Sequence, residues 1–141
     1  MMTVLIAGLP EGAELEAVRA RVHLGPHFRV VAHAHAPRTA LAQARVLMPD
    51  IAVITRDRPG PAGDRARLAL VWALRAFDPP TGIILRRDAE EPADAVGPGA
   101  EPVDGAVHHV RRGDPDALAH ALAAIGRRRA SCDTDPAPEA P

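Results

Sequence analysis

Arginine is the residue with which this chain can do chemistry. Thr55-Arg56-Asp57-Arg58, Arg86-Arg87-Asp88 and Arg111-Arg112 each close an apolar run. A guanidinium is planar and permanently charged, and its N–H fork matches the oxygens of a phosphate or a carboxylate. Asp57, Asp88, Asp104 and Asp114 share the same segments, so the arginines also have acidic partners within the chain. Both uses stay open, with mutual pairing favoured. The candidate anion-binding set is Thr55, Arg56, Asp57, Arg86 and Arg112.

The histidines invite a metal reading, since His33 and His35 alternate on one face of an extended run and His108 and His109 are adjacent. No HExxH pattern supports it, and the chain has one cysteine, Cys132. Nucleophilic catalysis has as little support: there is no G-x-S-x-G turn and no phosphate-binding glycine loop, and the single serine, Ser131, lies near the carboxyl terminus. A strand-end threonine such as Thr55 needs a neighbouring base to act as a nucleophile and is read instead as a packed residue. The expectation is a non-enzyme with no metal and no cofactor.

Short β-rich runs at residues 3–7, 28–33, 51–55, 82–86 and 105–110 alternate with helical patterns, the signature of an α/β domain with a parallel sheet. Ile51-Ala52-Val53-Ile54 is apolar without alternation, as suits a strand covered on both faces. Leu15, Val18 and Val22 form one helical stripe, and Leu118, Ala121, Leu122 and Ile125 form another. Asp114 and Pro115 read as a helix start, and Gly126 followed by Arg127-Arg128-Arg129 reads as its end. The prolines and glycines of residues 88–102 leave room for at most one turn of helix there.

Met48-Pro49-Asp50-Ile51-Ala52-Val53-Ile54-Thr55-Arg56-Asp57 resembles the centre of a response-regulator receiver domain. From Arg29 to Gly63 the pattern follows receivers of helix-turn-helix response regulators without a gap, and the likeness extends over roughly residues 3–126, weakest between 88 and 103. It implies a flavodoxin-like (βα)5 fold with parallel strand order 2-1-3-4-5 and a fourth helix short or missing. It also implies a degenerate receiver: Thr55 stands where the family carries its phosphoryl-accepting aspartate, and Gly8-Leu9 where an acidic, metal-binding pair would follow. Arg86 replaces the switch Ser/Thr, and Arg112 replaces the lysine. In that strand order the second and fifth strands lie at opposite edges, so His33/His35 and His108/His109 cannot share one ion within a monomer.

The remaining expectations concern partners. All 17 basic residues are arginine and the formal charge is −1, which argues against attraction to nucleic acid as a bulk effect. The amino-terminal apolar run breaks at Gly8-Leu9-Pro10, too soon for a signal peptide or a membrane span, so the setting expected is cytoplasmic. Leu68-Ala69-Leu70-Val71-Trp72-Ala73-Leu74 is apolar around most of a helix. With Leu68, Val71 and Trp72 towards the sheet, a second stripe of Leu70, Leu74 and Phe77 turns elsewhere. Leu70, Trp72, Leu74 and Phe77 are therefore the candidate interface of a homodimer or a protein partner. One domain over residues 1–126 and a disordered, Arg- then Pro-rich tail over 127–141 complete the reading. Its function is that of a signalling or regulatory interaction module working without aspartyl phosphorylation; the alternative is a sensor of a small anionic ligand at the carboxyl ends of the strands.

Overall fold

The computed structural model describes residues 1–88 and 107–134, with side chains through residue 129. Five strands, β1 (Met2–Ala7), β2 (Phe28–Ala34), β3 (Ile51–Thr55), β4 (Gly82–Arg87) and β5 (Val107–Arg111), form one parallel sheet in the order β2-β1-β3-β4-β5. The helices are α1 (Ala13–Leu24), α2 (Pro37–Leu47), α3 (Pro61–Arg75) and α4 (Pro115–Thr134). The expected flavodoxin-like architecture is therefore present. The expected irregular fourth-helix segment lies outside the described residues, apart from Asp88.

Two-residue alternation along the strands divides the core. Val4, Ile6, Val53, Ile84 and Val110 pack with Leu15, Val18 and Val22 of α1 and Leu118, Leu122 and Ile125 of α4. Leu5, Ala7, Ala52, Ile54, Ile83 and Leu85 form the other cluster, with Ala40 and Ala44 of α2 and Leu70, Val71 and Leu74 of α3. Successive side chains of a strand point to opposite faces, so each apolar run serves both layers. None of the described helices is long and apolar enough to cross a membrane.

The phase of α3 differs from the expectation. Leu70, Val71 and Leu74 are all buried against the sheet, Leu68 is half-buried, and Trp72 is 49% exposed. The helix turns this way because Gly63 must pass close to the preceding loop: a Cβ there would lie 1.9 Å from the carbonyl oxygen of Arg58. With Gly63 inward, positions 67, 70, 71 and 74 follow on the same side at about 100° per residue. Leu70 and Leu74 are thus core residues and leave the proposed interface; Phe77 is half-buried against the same cluster.

Helix α4 starts as expected, with Asp114 Oδ1 accepting the Ala117 N–H at 3.0 Å ahead of Pro115. It does not stop at Gly126. That glycine packs against the Phe28 ring, and the helix runs on through Thr134. Arg129 explains the continuation, donating to Asp50 Oδ1 at 3.1 Å and to the Pro80 carbonyl. Asp50 also accepts the Thr3 N–H at 2.8 Å, so one carboxylate joins β1, the entry to β3 and the end of α4. A tail beginning at residue 127 is accordingly corrected, and residues 135–141 lie outside the described part.

Candidate functional site

The carboxyl ends of β1, β3, β4 and β5 meet where α1 and α4 begin. After β1 the chain turns at Gly8 with φ +96°, its N–H bound to the Ala34 carbonyl at 2.9 Å. The backbone of β3 comes so close that a Cβ on Gly8 would lie 1.6 Å from the Thr55 oxygen. Leu9 then drops into the core, 2% exposed. Neither position can present an acidic group as built.

Thr55 and Arg86 are register partners on β3 and β4, and both are buried. Arg86 Nη1 donates to Thr55 Oγ1 at 3.0 Å, and its Nη2 lies 3.2 Å from Glu14 Oε1. Arg112, just past β5, grips the same carboxylate with both prongs: Nε to Oε1 at 2.5 Å and Nη2 to Oε2 at 2.6 Å. Its Nη1 donates to Asp88 Oδ1 at 3.0 Å. Asp88 Oδ2 accepts from Arg56 Nε at 3.2 Å and Nη2 at 3.1 Å, and Arg56 Nη1 reaches Asp64 Oδ1 at 3.0 Å. Arg67, 2% exposed, stands 3.6 Å from that Asp64 oxygen.

This alternation of charges shifts the titration of its members. The Arg112 hydrogen bonds hold the Glu14 carboxyl below its ordinary value against the opposing effect of burial. Burial pushes Asp88 upward, but hydrogen bonds from Arg112 and Arg56 prevail and its pKa is lowered. Arg112 is raised, foremost by its bonds to Glu14. Burial lowers Arg86, with Glu14 acting against it. Arg86 is therefore a buried cation whose desolvation is partly offset by its acidic neighbour.

Four of the five anticipated ligand residues, Thr55, Arg56, Arg86 and Arg112, are linked through these contacts while Asp57 is not, and the set faces two openings. Thr55, Arg56 and Asp57 line a crevice between β1, β3 and α3 that has essentially no free volume. There the Asp57 Oδ1 is shielded from solvent and has no hydrogen-bond partner among the described residues. Arg86 and Arg112 instead border a cleft of about 340 Å³ between α1 and the start of α4. Arg58 and Arg111 are exposed, and Arg87 Nη1 lies 3.5 Å from His109 Nδ1.

Internal pairing is thus what Arg56, Arg86 and Arg112 do, with partners that differ in part from those expected. Asp88 pairs, Asp114 caps α4, and Asp104 lies outside the described residues. The main acceptors, Glu14 and Asp64, sit in the first turns of α1 and α3. Their signal was topological: in a parallel α/β sheet every helix starts at the carboxyl end of the strands, so first-turn acids converge on that end. His33 and His108 lie on the opposite edge strands, and among the described residues no group of His, Cys, Asp and Glu could hold a metal ion.

No protein-family model matches the chain, and no curated protein does. Solved structures do match. The receiver domain of AraT, a response regulator from Geobacillus stearothermophilus, is 21% identical with a TM-score of 0.74, covering 94% of this chain and 98% of that one. A LuxR-family two-component response regulator from Aurantimonas sp. SI85-9A1 is 25% identical at TM-score 0.64, covering 88% of this chain and 84% of that one. The signal receiver domain of the putative response regulator NarL from Mycobacterium tuberculosis is 19% identical at TM-score 0.66, covering 89% and 96%. The chain is folded as a response-regulator receiver domain.

Proposed function

We propose that this chain is a signalling module of receiver type that works without aspartyl phosphorylation and without catalysis, acting through contact with a protein partner or a second copy of itself. The observation that carries this reading is the Thr55 hydroxyl held by the buried Arg86 guanidinium at 3.0 Å. Phosphoryl transfer to a carboxylate needs that carboxylate together with hard oxygen ligands for a divalent cation. Here the carboxyl ends of β1 and β3 offer Gly8, Leu9 and Thr55, and a cation of the chain itself already lies against the threonine.

The structural neighbours are parts of response regulators, and we infer a regulatory role of that kind, in transcription control, for this chain. A cytoplasmic setting suits its single cysteine. Of the four residues first considered for self-association, Trp72 is the one that stands exposed.

Treating the chain with acetyl phosphate and Mg²⁺ and recording intact-mass spectra tests the central point. No added phosphate is expected. A stoichiometric adduct on Asp57, or on any other carboxylate, would overturn the reading.

A further inference from the structure

The cleft between α1 and α4 combines an apolar floor with a charged wall in which Arg86 and Arg112 share Glu14. Ala17 and Val18 of α1 and Leu118 of α4 supply the floor, and Arg86 and Arg112 stand at the inner wall. Its volume of about 340 Å³ falls within the range of small-ligand sites, about 300–1,000 Å³. Arg21 crosses from α1 to the Pro115 carbonyl at 3.1 Å and to Asp116 at 2.7 Å, forming part of the rim.

We propose that this cleft binds a small amphiphile with one anionic head, a carboxylate or a phosphate, on an apolar body. The inference does not depend on whether the chain takes up a phosphoryl group, because it concerns a different opening from the one beside Thr55 and Asp57.

Glu14 marks the place of the head. Its Oε1 is shared between Arg112 Nε at 2.5 Å and Arg86 Nη2 at 3.2 Å. One carboxylate thus serves two guanidinium groups, in the manner of a bound anion. Its side chain is 38% exposed and borders the cleft, so an anion entering there would compete with it directly. Arg86, its side chain 7% exposed, has among the described residues only this carboxylate and the Thr55 hydroxyl. An anion that displaced Glu14 would supply the countercharge that the burial of Arg86 demands. The adjoining floor of Ala17, Val18 and Leu118 then receives the apolar body, which inorganic phosphate lacks.

Calorimetric titration of the full chain with hexanoate, hexyl phosphate, hexanol and inorganic phosphate tests the proposal. Hexanoate or hexyl phosphate should bind, and whichever binds identifies the head; hexanol and inorganic phosphate should bind far more weakly. Glu14→Gln removes the competing charge and should tighten the anionic amphiphile by about tenfold or more, as expected for a charge-assisted hydrogen-bonded pair. Ala17→Trp fills the floor and should abolish binding. Amide NMR shifts in the unaltered chain give an arm independent of variant folding, with perturbations expected at Ala17, Val18 and Leu118. Absence of binding to both the native chain and Glu14→Gln would overturn the proposal. So would equal affinity for inorganic phosphate, or shifts confined to other parts of the molecule.

Discussion

The Thr55 hydroxyl and the Arg86 guanidinium meet 3.0 Å apart on register partners of adjacent strands, both nearly sealed from water. The bond couples the end of β3 to a chain of alternating charges that runs through Glu14, Arg112, Asp88 and Arg56 to Asp64. In a receiver fold this is the region where a phosphorylated carboxylate would stand. Here the same region is occupied by internal pairs.

Removing the hydroxyl isolates one side of a buried cation. Thr55→Val keeps the shape of the side chain and takes away the acceptor for Arg86 Nη1, so a loss of about 1.5–3 kcal/mol is expected, the range for hydrogen bonds to charged groups. Urea unfolding would measure it. An unchanged midpoint would mean that the bond contributes nothing net.

Gly8 should tolerate no side chain. At φ +96° and with a Cβ 1.6 Å from the Thr55 oxygen, Gly8→Ala combines a disfavoured backbone with a direct overlap. Backbone strain of this kind alone costs about 1–3 kcal/mol. It follows that installing aspartate at positions 8 and 55 together should give an unfolded or strongly destabilised chain and not a phosphorylatable one, as circular dichroism melts would show.

Leu70 and Leu74 belong to the core, and their substitution should read out as stability. Leu74→Ala is expected to cost about 2–5 kcal/mol, the usual penalty for truncating a buried leucine. The Leu70→Glu, Leu74→Glu pair should unfold the chain. A folded, soluble double variant in light scattering would contradict their placement between α3 and the sheet.

The carboxylates of the network set the acid limit. Glu14 is held down by the Arg112 hydrogen bonds, and Asp88 is held down by Arg112 and Arg56 in spite of its burial. A carboxyl group with a depressed folded pKa binds fewer protons folded than unfolded, so its stabilising contribution is complete above the unfolded values, about 3.9 for Asp and 4.3 for Glu. It is lost as pH falls through the lower folded values. Stability should therefore hold near neutral pH and decline below about pH 4–5. Glu14→Gln should start lower at neutral pH and fall less steeply in acid, as urea titrations at successive pH values would show.

Much of this protein was determined by the sequence alone. Apolar runs alternating with helical stripes specify a parallel α/β sheet, and Ile51-Ala52-Val53-Ile54 specifies a strand covered on both faces. Asp114-Pro115 specifies a helix start, and the absence of carboxylates at positions 8, 9 and 55 is plain from residue identity. These features are local, depending on periodicity and on the chemistry of single side chains.

Only the tertiary structure decided the rest. The run from Leu68 to Leu74 is apolar enough to face the sheet in more than one phase, and the approach of Gly63 to the Arg58 carbonyl chose between them. Gly126 carries the mark of a helix end, yet packing against Phe28 and the hold of Arg129 on Asp50 continue α4 past it. Arg112 finds Glu14 across 98 residues of sequence. No local pattern encodes that pairing, because it exists only where the sheet gathers the first turn of α1 and the end of β5 at one edge of a shared cleft.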